Sequence, residues 1–307
     1  MTAQRIPLAA SGPDFALLLL LSAIWGGSFP LIKIAVGDLP PLWVAAGRIS
    51  LGGLALLVIL RLRGATLPRG GFPVWGRLAF MGIVGNVVPF TLIGWGEIQV
   101  PSGVAAILMA MVPLIVVVIA HFWVPDEPLT WAKLAGVGFG LAGILVLIGP
   151  SALAGLGNHV AGELAILLAT VCYALTAVIG RGLPPLSADA ASSGMLLAAA
   201  PVGLVAAALV DPPAALAPTA SALVAVAVLG IVCTGLAFVV FFRMLARAGA
   251  GFASMNNFLV PPFGVIYGWL GLGEKLPPTA FLAMLLISLG VLVQRLQKTS
   301  SPLVGED

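Results

Sequence analysis

Side chains able to bind a solute are few in this sequence, and they fall at matched positions. Trp25, Gly26, Gly27, Ser28 and Pro30 lie in one short stretch, and Tyr173 and Thr176 stand about 148 residues further on. Asn86 precedes Pro89 by three residues; its partner at the same offset is Thr234, with Phe90 and Phe238 paired likewise. Asn256 and Asn257 lie a turn before Pro261 and Pro262, and the matching stretch is Leu108–Met109 before Pro113. Amides and hydroxyls supply hydrogen bonds, while aromatic rings and methionine supply an adaptable apolar wall. Trp25, Ser28, Asn86, Phe90, Met109, Tyr173, Thr176, Thr234, Phe238, Asn256 and Asn257 therefore read as the lining of one binding pocket. Proline removes a backbone donor and disturbs the carbonyl one turn earlier, so Pro30, Pro89, Pro113 and Pro261 are the candidate hinges. Packing is the competing account, because Asn and Thr also bond neighbouring membrane helices. Asn256 and Asn257 are adjacent, however, and occupy two different helix faces.

The same inventory argues against catalysis. His121 and His159 have no Cys or carboxylate at metal-ligand spacing, so no metal site is expected. Cys172 and Cys233 both lie inside apolar runs and read as small buried hydrophobes. The run GVGFGLAG follows no strand and is no dinucleotide loop. No nucleophile, base and paired carboxylate share a plausible site, so neither an enzyme nor a cofactor is expected.

The elements that must carry these residues follow from composition. The chain has 307 residues, 61% hydrophobic and 8% charged, with a mean hydropathy of +1.16. A soluble domain would be roughly 25% charged. Long apolar runs without ten-residue alternation indicate an all-α integral membrane protein. Ten spans are expected, over 15–34, 42–60, 75–95, 102–123, 130–149, 163–180, 190–210, 221–243, 252–272 and 278–294. The first run carries Asp14 and continues through WGGSFPLIKI without a small-residue cleavage site, unlike a signal peptide. Of 14 Lys and Arg residues, Lys33 and Lys275 fall on one side and Arg48 inside a span, while the remainder fall on the side of the N-terminus. The positive-inside rule then places both termini in the cytoplasm. The basic residues report topology, and no nucleic-acid partner is expected.

A shift of about 148 residues aligns the chain with itself. LLSAIWGGSFPLIK, with Trp25 and Lys33, matches LLATVCYALTAVIGR, with Tyr173 and Arg181. SGVAAILMAMVP matches AGFASMNNFLVP, and EPLT at Glu127 matches EKLP at Glu274 with a one-residue slip. Five helices per unit is an odd number, so the second unit enters the membrane from the opposite side. Two inverted five-helix repeats are expected at 14–149 and 161–296, with short cytoplasmic tails at 1–13 and 297–307. Inverted repeats meeting near the midplane are a transporter architecture that gives alternating access.

Ten helices, this duplication, the WGGSFPLIK segment and the paired Glu-X-Leu turns resemble the drug/metabolite transporter superfamily. Within it the match is to the EamA-like families, resembling the YddG-type amino-acid exporters, over about residues 15–295. The resemblance implies a multi-pass exporter of small metabolites in a bacterial inner membrane, with a central cavity. A monomer is expected, since the duplication supplies both halves. The acidic residues Asp14, Glu97, Glu163 and Asp189 all fall at expected span ends. Proton-coupled cation antiporters use an intramembrane carboxylate, so amino acids or similar neutral or zwitterionic solutes are the expected substrates. A multidrug exporter of lipophilic cations and a passive solute channel stay open as alternatives. Arg48 is expected to pair with Asp38 or Glu97 or to snorkel, with a substrate carboxylate as the alternative. Glu127 and Glu274 are expected to cap the helix that follows each of them.

Overall fold

A computed structural model describes residues 11–123, 130–148, 158–179, 186–253 and 255–296. Glu127, Arg181 and most of the two tails lie outside these ranges, as does the side chain of His159. The described residues are mostly helical, joined by short turns, with no strand among them. In chain order the helices are α1 (Gly12–Ala35), α2 (Pro41–Leu62), α3 (Gly71–Gly82), α4 (Val88–Gln99), α5 (Ser102–Met109), α6 (Val112–Trp123), α7 (Trp131–Ile148), α8 (Asn158–Ile179), α9 (Ala188–Val210), α10 (Ala220–Gly230), α11 (Ala237–Ala253), α12 (Asn256–Leu272) and α13 (Pro278–Leu296). Seven continuous helical stretches are long and apolar enough to cross a membrane. Three shorter apolar helices, Trp131–Val146, Leu259–Leu272 and Pro278–Val293, lie within the stretches where the fifth, ninth and tenth spans are expected.

Several spans are interrupted where the sequence dictates it. Between α3 and α4 the backbone widens into a π-helical turn over Ile83–Val87, and Val88 N–H donates to the carbonyl of Ile83, five residues back. Pro89 has no N–H to offer one turn back, so the wider turn accommodates it. A second π-helical turn, Ile231–Leu236, joins α10 to α11. There the Thr234 hydroxyl takes over a backbone role, donating to the carbonyl of Leu229 at 2.9 Å. The α5–α6 stretch breaks at Ala110 and Met111, just before Pro113. Gly249 takes a positive φ of 80° and kinks α11 near its end, a conformation glycine adopts without steric cost.

Helices from the two halves of the chain interleave. α1 packs on α12, α4 on α8, α2 on α9, α7 on α13, and α5 on α12. Small residues let these backbones approach closely. A Cβ on Gly26 would lie 2.5 Å from Phe263 Cβ and 2.9 Å from the backbone nitrogen of Gly264. Gly96 meets the carbonyl of Gly162 in the same way, with a Cβ 2.7 Å away. Gly27, one residue along, has only an ordinary contact at 3.5 Å with Tyr267.

Polar ties close the ends of the bundle. Ser11 N–H donates to Asp14 Oδ2 at 3.0 Å, and Arg247 Nε donates to Asp14 Oδ1 at 2.7 Å, joining the start of α1 to α11. Arg63 meets Asp189 at 2.6 Å between α2 and α9. At the other end the Thr219 hydroxyl donates to Asp38, and Trp43 Nε1 donates to the Asp211 carbonyl at 2.9 Å. Glu274 does not cap the helix that follows it. Its carboxylate accepts the backbone N–H groups of Ser102 at 2.8 Å and Gly103 at 3.1 Å, plus the Ser102 hydroxyl at 2.9 Å, and so caps α5. The tight Gly273 turn, with φ of 65°, directs the chain back over α5 and away from α13.

Two outcomes follow from these contacts. Glu274→Ala leaves the first N–H groups of α5 without acceptors and lowers stability by about 1–3 kcal/mol, with Glu274→Gln intermediate because it keeps one oxygen; thermal unfolding in detergent measures both. Gly26→Val forces α1 from α12 and costs about 1–3 kcal/mol, whereas Gly27→Ala leaves the unfolding midpoint unchanged. Equal effects at the two glycines would show that backbone approach at Gly26 does not hold the pair together.

Candidate functional site

Arg48 organises the centre of the bundle. It lies seven residues into α2 and is only 7% exposed. Its Nε donates to Thr234 Oγ1 at 2.9 Å, and its guanidinium carbon sits 3.9 Å above the centroid of the Phe90 ring. A cation over a desolvated aromatic face gains about 2 kcal/mol. Among the described residues no carboxylate reaches ion-pair distance of it. The expected pairing with Asp38 or Glu97, and the expected snorkelling, are therefore corrected: Asp38 is held by Thr219, and the carboxylate oxygens of Glu97 bond nothing described.

The glycines explain why Arg48 can reach Thr234. A Cβ on Gly52 would stand 2.8 Å from Thr234 Cγ2, and one on Gly230 would stand 2.6 Å from Leu51 Cβ. α2 and α10 thus run almost backbone to backbone, and the short Arg48–Thr234 bond depends on that approach. Thr234 is satisfied on both sides, accepting from Arg48 and donating to Leu229.

Asn86 stands in the first π-helical turn and Thr234 in the second, at the 148-residue offset read from the sequence. π-helical turns inside α-helices are frequent at functional sites. Asn86 is 3% exposed, and its Nδ2 has no hydrogen-bond partner among the described residues. Phe90 follows one turn later on the same helix, with Tyr173 of α8 edge-on to it at 6.5 Å. Phe238 and Tyr173 pack against the cluster that holds Phe90. Thr176 lies alongside, its methyl against Gly85 and its hydroxyl bonded to the Cys172 carbonyl at 2.8 Å. Met109 bridges two apolar clusters, one of which also takes in Tyr173.

The other sequence candidates gather elsewhere. Trp25 packs on Phe241 at 5.7 Å in a cluster between α1 and α11. Ser28 donates to the Trp25 carbonyl at 2.6 Å within its own helix. Asn256 Oδ1 accepts from the Ser22 hydroxyl at 2.7 Å, tying α12 to α1. Asn257 is half-buried beside it. Pro30 lies inside α1 and Pro261 inside α12, where neither breaks its helix, in contrast to Pro89 and Pro113. Two residues that the sequence singled out by charge alone, Arg48 and Glu97, are made prominent by the fold. A charge seven residues into an apolar run was the available signal for Arg48. Glu97, expected at a span end, has no part exposed.

Among the described residues no group of His, Cys, Asp and Glu is placed to hold a metal ion. The arrangement offers two hydrogen-bond donors, the Arg48 guanidinium and the Asn86 amide, beside aromatic faces. Its chemistry is that of binding an anionic group.

Similarity to known proteins agrees with a membrane carrier. The inner membrane transporter YedA of Escherichia coli K12, itself uncharacterised, is 29% identical over 294 residues, covering 94% of this chain and 93% of its own. A Streptantibioticus cattleyicolor protein named "Probable terminal-alkyne amino-acid exporter" is 26% identical over 299 residues, covering 90% and 91%. The S-adenosylmethionine/S-adenosylhomocysteine transporter of Chlamydia trachomatis serovar L2 is 26% identical over 286 residues, covering 89% and 86%. One solved crystal structure shares the fold with a TM-score of 0.66 at 23% identity, covering 95% of this chain and all of that one. The model of the EamA-like transporter family matches twice, over residues 15–149 and 160–295. With both halves matched, the chain belongs to the EamA-like transporter family, the membrane transporters of the drug/metabolite superfamily.

Proposed function

We propose that this protein exports amino acids or closely similar small metabolites across a bacterial inner membrane. The observation that carries this reading is the buried guanidinium of Arg48, which has no described carboxylate, together with the donor-only Nδ2 of Asn86. A solute carboxylate would supply the acceptor that Asn86 Nδ2 lacks and a counter-charge for Arg48, and charge-assisted bidentate bonding is the strongest form of that contact. Phe90, Tyr173, Phe238 and Met109 supply the apolar wall for a side chain. The names of two relatives point the same way, since an alkyne amino acid and S-adenosylmethionine both carry an α-amino carboxylate. A buried guanidinium repels a cation, which disfavours the multidrug alternative.

Transport in this reading proceeds by alternating access of two inverted five-helix units, 14–149 and 161–296, in a ten-span monomer with both termini cytoplasmic. The repeat-related π-helical turns and the interleaving of the two halves support it, because a pseudo-two-fold axis in the membrane plane relates such pairs. Trp25, Ser28, Asn256 and Asn257 then belong to the wall nearer the N-terminal end of α1, and Thr176 and Thr234 to the centre.

The test is efflux from proteoliposomes loaded with a mixture of labelled L-amino acids. Saturable efflux is expected from the wild-type protein. Arg48→Gln should weaken it about 10–100-fold, the range of a hydrogen bond to a charged group, and Asn86→Ala about 3–10-fold. The carboxamide derivatives of the same amino acids should be handled poorly by the wild type and no worse by Arg48→Gln. Full amino-acid efflux by Arg48→Gln would sink the carboxylate assignment. Flux of organic cations, with none of amino acids, would replace the substrate class, and non-saturable flux would indicate a channel.

A further inference from the structure

Glu97 lies two residues before the end of α4, yet no part of it is exposed. Both of its carboxylate oxygens are buried, and neither has a hydrogen-bond partner among the described residues. The elements packed against α4 are α8, α2, the π-helical turn before it, α1 and α5. α1 brings Lys33, whose Nζ donates instead to the backbone carbonyls of Glu97, Ile98 and Val100. α2 brings Arg48, which is engaged with Thr234 and Phe90; Arg61 and Asp14 sit at the far ends of their helices. α8 brings Glu163 beside the Gly96–Gly162 contact, with Cys172 and Tyr173 deeper. The π-helical turn and α5 bring no titratable group. Glu274 is within electrostatic reach from the turn before α13, but its oxygens are taken by α5. Among the described side chains the surroundings thus hold two cations engaged elsewhere and two further carboxylates; the side chain of His159, also on α8, lies outside the described ones.

An ionised carboxylate cannot be kept in such a place without a partner, and the group takes a proton instead. We propose that Glu97 is a proton-binding site, and that closing the Lys33 end of the bundle over it takes up one proton from the medium on that side. On opening, water enters between α1, α4 and α5, the O–H bond of the acid breaks, and the proton passes to water. Lys33 then turns from the backbone carbonyls to the new carboxylate. The closed arrangement binds the extra proton, so acid favours closure, and closure is lost as pH rises, by up to tenfold per pH unit for one proton.

Infrared spectroscopy of the substrate-free protein in nanodiscs tests the site itself and does not depend on the amino-acid reading. At neutral pH the wild type should show the C=O stretching band of a protonated carboxylic acid, which disappears in Glu97→Gln. Glu97→Asp should retain a shifted band, which separates loss of the acid from loss of the fold. In proteoliposomes loaded with labelled L-amino acids, wild-type efflux should change with pH on the Lys33 side, and Glu97→Gln should be flat, at the rate the wild type shows in acid. Identical wild-type and Glu97→Gln spectra would overturn the proposal, as would a Glu97→Gln variant that keeps the wild-type pH profile. If no amino acid moves at all, the substrate assignment fails and the infrared result alone decides this one.

Discussion

A guanidinium placed inside a bilayer must be surrounded by protein, because hydrocarbon offers it nothing. Arg48 meets that constraint through two contacts from different helices, the Phe90 face and the Thr234 hydroxyl. Both demand that α2 lie close against its neighbours, which Gly52 and Gly230 allow. The same demand shapes the neighbours. Thr234 can serve Arg48 only while its own proton goes to Leu229, and that bond belongs to a π-helical turn. Phe90 presents its face from the helix that follows the other π-helical turn. The centre of the bundle is thus one coupled arrangement of a cation, a ring, a hydroxyl and two irregular turns.

Around this centre the polar contacts are concentrated at the two ends. Asp14 with Arg247, and Arg63 with Asp189, tie one end. Glu274 on α5, Lys33 on the end of α4, and Asp38 with Thr219 tie the other. Most of these ties join the first half of the chain to the second. In the alternating-access reading proposed above one set loosens while the other stays, and short charge-assisted bonds at the ends are suited to that exchange. The apolar clusters between them need no such rearrangement, since small residues let the helices slide while staying in contact.

One amide donor without an acceptor, Asn86 Nδ2, marks the centre, and an acid whose oxygens have no hydrogen-bond partner, Glu97, marks the Lys33 end. Buried polar atoms left unsatisfied are uncommon and call for an explanation. In the readings proposed above the two explanations are complementary: the unmet Asn86 amide, beside Arg48, would take a solute carboxylate, and the unmet oxygens of Glu97 a proton.

Much of this protein was legible in the sequence because hydrocarbon allows so little. Apolar runs of about twenty residues have to be helices, and the 148-residue offset picked out Asn86 with Thr234 and Phe90 with Phe238 before any coordinates. Pro89 and Pro113 also marked real irregularities, since a missing N–H has a local consequence. What depended on partners was not legible. The bond from the Ser22 hydroxyl, 234 residues away, to Asn256 Oδ1 could not be read from the sequence. Glu274 reads as a cap for the next helix until the turn at Gly273 sends it to α5. Arg48 and Glu97 read as a possible ion pair, and they are both buried and both unpaired. Periodicity and composition determine which segments enter the membrane, because transfer of each residue is a local property. Only the tertiary structure decides which polar group meets which, because that depends on how closely helices distant in sequence approach, and a few glycines set the distance.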